Sequence, residues 1–106
     1  MAVRVNKDNF DSEVIGVQDT AVVADFYSDS CVPCKRMSPV LAEIEEEFEG
    51  NIKLVKININ FDTELAEKYE VQSVPTLVFF KDGEEKERIS GAVSRDKIAD
   101  AIHNLI

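Results

Sequence analysis

Apolar positions along this chain alternate between short dense runs and longer stretches of helical spacing. Val3 to Val5 is a short strand candidate. Residues 21–27, Ala-Val-Val-Ala-Asp-Phe-Tyr, are almost continuously apolar and read as a central strand. Ile52 to Ile59 reads as another strand, broken by Lys56 and Asn58. Thr76 to Lys81 is a further apolar strand, followed by the hairpin signal Asp82-Gly83 and a more polar partner, Lys86 to Ser90, suited to a sheet edge.

Between these runs the spacing predicts helices. Lys7 to Gly16 places Phe10, Val14 and Ile15 on one side, with Gly16 as the stop. From about Val32 to Phe48 a stripe of Met37, Leu41, Ile44 and Phe48 marks a long helix that Gly50-Asn51 ends. Pro39 should kink it, since an interior proline lacks a donor and clashes with the preceding turn. Ser28-Asp29-Ser30 supplies turn and capping side chains just before it. Thr63 to Tyr69 is a shorter helix, and Ser94 caps a last one carrying Ile98, Ala101, Ile102 and Leu105. Strands separated by helices, then a hairpin and a helix, imply an α/β fold on a mixed sheet. No repeat or linker interrupts the pattern, so residues 1–106 read as a single domain.

Composition narrows the function. With 44% hydrophobic and 31% charged residues the chain is an ordinary globular one, large enough to bury roughly two-thirds of its unfolded surface unaided. Acidic residues outnumber basic ones by 21 to 12, a net charge of −9, which opposes nucleic acid and anionic lipid. No leader-like opening and no membrane-length apolar run is present, so the expectation is a cytoplasmic protein with no membrane partner.

The candidate chemistry lies in Ser30-Cys-Val-Pro-Cys-Lys35, which contains both cysteines of the chain. A disulfide between Cys31 and Cys34 would close a tiny loop and constrain little chain entropy, so a stabilising role explains it poorly. At a helix start, unpaired N–H groups and the positive end of the macrodipole favour a thiolate, whose pKa can fall from about 8.5 to roughly 3.5–7.5. Lys35 and Arg36 add positive charge. Cys34 lies on almost the same helix face, roughly 5–6 Å away between Cβ atoms, and Pro33 suits the first turn and stiffens the link. Cys31 would then attack a target disulfide and Cys34 would resolve the mixed disulfide. A zinc half-site is disfavoured because no further cysteine exists and His103 lies far off in the last helix; no metal is expected. Inert core cysteines are disfavoured by the helix-start position. Asp25 is an acid inside an apolar strand, which must be paired or raised in pKa.

The order and spacing of Asp25-Phe26-Tyr27, Cys31-Val-Pro-Cys-Lys35, Pro39, Lys56, Val74-Pro75-Thr76, Lys81-Asp82-Gly83 and Gly91-Ala92 resemble the thioredoxin family over nearly the whole chain. The resemblance implies a thioredoxin fold, a central mixed β-sheet flanked by four helices. It also implies no bound cofactor beyond a redox-active Cys31–Cys34 disulfide. Asp25 would be the buried carboxylate beneath the resolving thiol, passing protons to or from Cys34 through water. Lys56 would be its partner, able also to satisfy it as a purely structural group. Pro75 would be a cis-proline against the disulfide, and the backbone of Val74 would pair with an extended substrate. Gly91 and Ala92 would complete the contact surface.

Ser30 and Val32 stand where the family usually has tryptophan and glycine, and Tyr27 where another tryptophan is common. Ser30 therefore removes apolar surface beside the thiol, while Val32 and Pro33 should tune the redox potential. The expected function is a monomeric protein disulfide reductase acting on disulfide-containing target proteins. It would be recharged by thioredoxin reductase or another flavoprotein or ferredoxin-linked reductase. The alternatives are a glutaredoxin-like or disulfide-isomerase-like protein, and a binding subunit with incidental thiols.

Overall fold

The computed structural model describes residues 2–106. Its sheet contains β1 (Val3–Arg4), β2 (Ala21–Tyr27), β3 (Ile52–Asn58), β4 (Thr76–Lys81) and β5 (Glu84–Ser90), in the spatial order β1-β3-β2-β4-β5. β3 runs parallel to β1 and β2, while β4 is antiparallel to β2 and β5. Helices α1 (Val32–Glu47) and α3 (Arg95–His103) cover one face. The short π-helical segment Asp11–Ile15 and α2 (Thr63–Lys68) cover the other. The expected α/β architecture, a mixed sheet flanked by four helices, is what the chain forms.

Strand alternation places the chemistry. Successive side chains leave a strand on opposite faces. Ala21 and Val23 of β2, Ile52 and Leu54 of β3, and Leu77 and Phe79 of β4 pack under α1 and α3. Val22, Ala24 and Phe26, with Val55, Ile57, Val78 and Phe80, fill the opposite core around Phe10 and Val14. Ala21 is opposite Ile52 and Asp25 opposite Lys56. Continuing the same alternation therefore brings both polar interruptions to one level of the sheet, on the α1 side.

The first helix is shorter than the spacing predicts. Asn6 and Asn9 divert residues 6–9 into a side-chain-closed turn: Asn9 Oδ1 accepts from the Asn6 N–H at 2.7 Å and Asn6 Oδ1 from the Asp8 N–H at 2.8 Å. Such bonds compete with a helix start. The segment that follows is a single π turn closed by the Gly16 N–H on the Asp11 carbonyl at 2.7 Å. Lys53 clamps it to β3 through an ion pair with Glu13 and a 2.8 Å bond to the Glu13 carbonyl.

Helix α1 runs through Pro39 without ending there, and Pro39 is exposed. β5 begins two residues earlier than expected, at Glu84. Its first four residues are all exposed, so no apolar alternation marks that end. Ser94 caps α3 as expected, accepting from the Lys97 N–H at 3.3 Å.

The β4–β5 turn is held from two sides. Asp82 and Gly83 have φ of 52° and 83°, a left-handed pair suited to a two-residue hairpin. The Asp82 carboxylate accepts from the Asp19 N–H at 2.9 Å, and a Cβ at Gly83 would lie 2.8 Å from the Ile15 carbonyl oxygen. Gly50 has a similar φ of 87° but open space around it. Gly50→Ala should therefore lose only the left-handed penalty, about 1–2 kcal/mol. Gly83→Ala should lose clearly more in equilibrium urea unfolding. Equal losses would show that the hairpin tip does not press on the π-helical segment.

Candidate active site

The sheet hands the chain to α1 through Ser28-Asp29-Ser30. Neither serine caps the helix. The N-cap is Cys31, extended at φ −92° and ψ 110°, and its Sγ accepts the Cys34 N–H at 3.1 Å. Pro33 occupies the first turn, where its missing N–H leaves no intrahelical bond unmade. Cys31 and Cys34 are joined as a disulfide with Cα atoms 5.2 Å apart. The sulfurs are unequal: Cys31 is partly exposed, whereas Cys34 is only 7% exposed. Once the bond is reduced, the same N–H and helix end stabilise negative charge on Cys31.

Val74-Pro75 is cis, and the Val74 carbonyl oxygen lies 3.6 Å from Cys31 Sγ. Gly91 joins this wall by donating its N–H to the Pro75 carbonyl at 2.8 Å; its φ of 89° suits glycine, and Ala92 beside it is exposed. On the other rim Val32 is 57% exposed, so its branched side chain alters the surface around Cys31 more than the packing beneath it. Pro33 is exposed as well.

Ser30 is tied down locally. Its hydroxyl is 3.2 Å from that of buried Ser28, which also accepts the Ser30 N–H and the Asn60 side-chain amide, each at 3.3 Å. Asn58 donates to the Asp29 carboxylate at 3.1 Å. This brace from the β3–α2 loop was not foreseen from the sequence. Its available signal was the pair Asn58 and Asn60 after an apolar strand.

Asp25 lies beneath Cys34. It is 5% exposed, its Oδ1 has no protein hydrogen-bond partner, and its pKa is raised from 3.8 to about 6. Burial drives the rise and the positive charge of Lys56 opposes it. Among the described residues no ion pair or hydrogen bond joins the two side chains. Lys56 therefore does not satisfy the carboxyl directly, as a purely structural reading required. Its Nζ stands over the Tyr27 ring, 4.7 Å from the centroid.

A crevice of about 180 Å³, lined by Asp25, Tyr27, Cys34, Ser38 and Lys56 among others, joins the carboxyl to the buried sulfur. The Ser38 hydroxyl donates to the Cys34 carbonyl at 3.4 Å within it. A second groove, about 450 Å³, also reaches Asp25 from between α1 and β3. Both are roomy and polar enough to admit water.

Residues 1–104 match the sequence profile of the Thioredoxin family. The chain belongs to the thioredoxin family. It is 34% identical to a thioredoxin of Rickettsia bellii over the full length of both proteins. It is 39% identical to a thioredoxin of Pyropia yezoensis over 97% of this chain and 95% of that one. A chloroplastic M-type thioredoxin of Pisum sativum is 36% identical over 96% of this chain, which spans 59% of that protein's length. Thioredoxins work through a redox-active disulfide, and Cys31–Cys34 is that disulfide here. The chain is a disulfide oxidoreductase. Among the described residues no group of three or more His, Cys, Asp or Glu side chains could hold a metal ion.

Buried Asp25 makes stability depend on pH. Its native pKa, about 6, lies above the ordinary 3.8, so between those values the native state holds the extra proton and stability falls as pH rises. Above about pH 6 the full deficit, about 2–3 kcal/mol, is present. Asp25→Asn should accordingly be more stable than the wild type in urea at pH 8 by that order, with the gain fading below pH 4. A gain independent of pH would rule out the buried charge as its cause.

Proposed function

We propose that the chain is a protein disulfide reductase in which Cys31 attacks, Cys34 resolves and Asp25 moves the proton. The inequality of the two sulfurs carries this reading: Cys31 is partly exposed and receives an N–H bond, while Cys34 is buried above a carboxyl. An incoming disulfide can reach only the first sulfur.

The Cys31 thiolate attacks one sulfur of the target; a Cys31–target bond forms, the target S–S bond breaks, and the released target thiolate takes a proton. Cys34 then gives its proton to the Asp25 carboxylate across the crevice. The new thiolate attacks Cys31 Sγ, forming Cys31–Cys34 and releasing the second target thiolate, which takes a proton, while protonated Asp25 returns its proton to water in the crevice. Two electrons pass from the dithiol to the target, which ends as a dithiol. The Val74 backbone beside Cys31 supplies an edge for an extended target segment, with Gly91 and Ala92 next to it.

The dithiol is regenerated through the same exposed sulfur, by a thioredoxin reductase or another flavoprotein or ferredoxin-linked reductase. One copy of the chain supplies every group the exchange uses, so a monomer suffices. A reducing compartment such as the cytoplasm keeps the dithiol form populated. No helix among the described residues is long and apolar enough to cross a membrane.

With dithiothreitol as reductant, Cys31→Ser should reduce insulin disulfides no faster than dithiothreitol alone. Cys34→Ser should accumulate mixed disulfides through Cys31. Equal rates for the wild type and Cys31→Ser would favour a binding subunit, and trapping through neither thiol would overturn the assigned order of attack.

A further inference from the structure

Lys56 has two places to put its charge. It is the register partner of Asp25 on the adjacent strand, so both side chains leave the same face of the sheet. Asp25 Oδ1 is buried and lacks a protein partner, and Asp25 and Lys56 line the same crevice. The ammonium nevertheless sits over the Tyr27 ring, at 4.7 Å, where the negative face of the π-system attracts it. Tyr27 is two residues beyond Asp25 on β2 and lines the same crevice.

We propose that Tyr27 is a positioning residue for the thiol exchange, its ring holding the Lys56 ammonium away from the Asp25 carboxylate so that this carboxylate stays available to accept the proton of Cys34. A carboxylate locked against an ammonium is a poor base, because the ion pair stabilises its ionised form. The other charged groups lining the two clefts at Asp25 are Arg4 from β1, Asp29 from the loop, and Lys35 and Glu45 from α1, with Cys34 above. Lys56 is the charge that opposes the effect of burial on Asp25. Moving it is therefore the effective control. The inference rests on the reading of Asp25 as proton acceptor, but the hold of Tyr27 on Lys56 is measurable without it.

The test is an NMR titration of the Asp25 carboxyl carbon in the disulfide form. It compares wild type, Tyr27→Leu, Tyr27→Trp, Lys56→Met and the Tyr27→Leu/Lys56→Met double variant. Tyr27→Met serves as a second ring-free variant should Tyr27→Leu fold poorly. Removing the ring frees the ammonium to approach the carboxylate, so the midpoint should fall by about half a unit to one unit. Tyr27→Trp should keep it at the wild-type value and Lys56→Met should raise it. In the Lys56→Met background the ring should no longer matter.

An unchanged midpoint in the ring-free variants overturns the proposal. So does an equal fall with and without Lys56, which would mean that the ring only excludes water. The acid limb of the pH profile for insulin reduction should move with the midpoint. A midpoint that moves while the limb stays fixed supports the hold of Tyr27 on Lys56 and refutes the proton role of Asp25 instead.

Discussion

Burial of one carboxyl within an apolar sheet is the constraint on which the rest of the site depends. Asp25 follows Ala21 and Val23 on the β2 face that α1 covers, and the start of α1 sets Cys34 above it. An ionised carboxylate in such a place is costly. Lys56 eases that cost only through space, and the carboxyl consequently keeps its proton to about pH 6. A group that changes protonation near neutrality is suited to general acid–base work. The fold gives up stability at neutral pH to keep such a group beneath the buried sulfur.

The two sulfurs are of one residue type and differ in their surroundings. The backbone N–H that reaches Cys31 Sγ belongs to Cys34 itself, so a single helix turn caps the helix, can support charge on the exposed sulfur and spaces the pair. The cis Val74-Pro75 wall, and Gly91 bonded to it, come from the start and end of the β4–β5 hairpin. β2 with the helix start, β3, and the β4–β5 hairpin are three separate stretches of chain. They converge because the sheet order places β2 between β3 and β4.

Much of this was legible in the sequence. The apolar run 21–27 coincides with β2, since a strand buried on both faces announces itself by composition alone. The thiol spacing, the odd acid at Asp25 and the polar break at Lys56 could be read directly, and strand periodicity explains why the last two meet. Local side-chain competition was harder to see. Asn6 and Asn9 replace the start of a helix with a turn, and Cys31, not a serine, provides the cap of α1. The Ser28–Ser30–Asn60 brace joins residues 32 positions apart, and no local pattern announces such a pairing. The position of Lys56 over Tyr27 was equally out of reach, because register shows which residues share a face but not which of two neighbours a flexible ammonium chooses.

Departures from the family pattern now have physical locations. Ser30 is braced from below where an aromatic would have extended the surface, and Val32 is exposed beside Cys31. Both alter the surface that surrounds the exposed sulfur. In the mechanism proposed above, the exchange turns on proton transfer between Cys34 and Asp25. The most direct measurement is the single-turnover rate at which the mixed disulfide resolves, followed across pH in the wild type and in Asp25→Asn. The wild-type rate should climb through about pH 6, the value at which Asp25 becomes available as a base, and the variant should be slower and lack that inflection. Superimposable profiles would contradict the transfer of the Cys34 proton to Asp25.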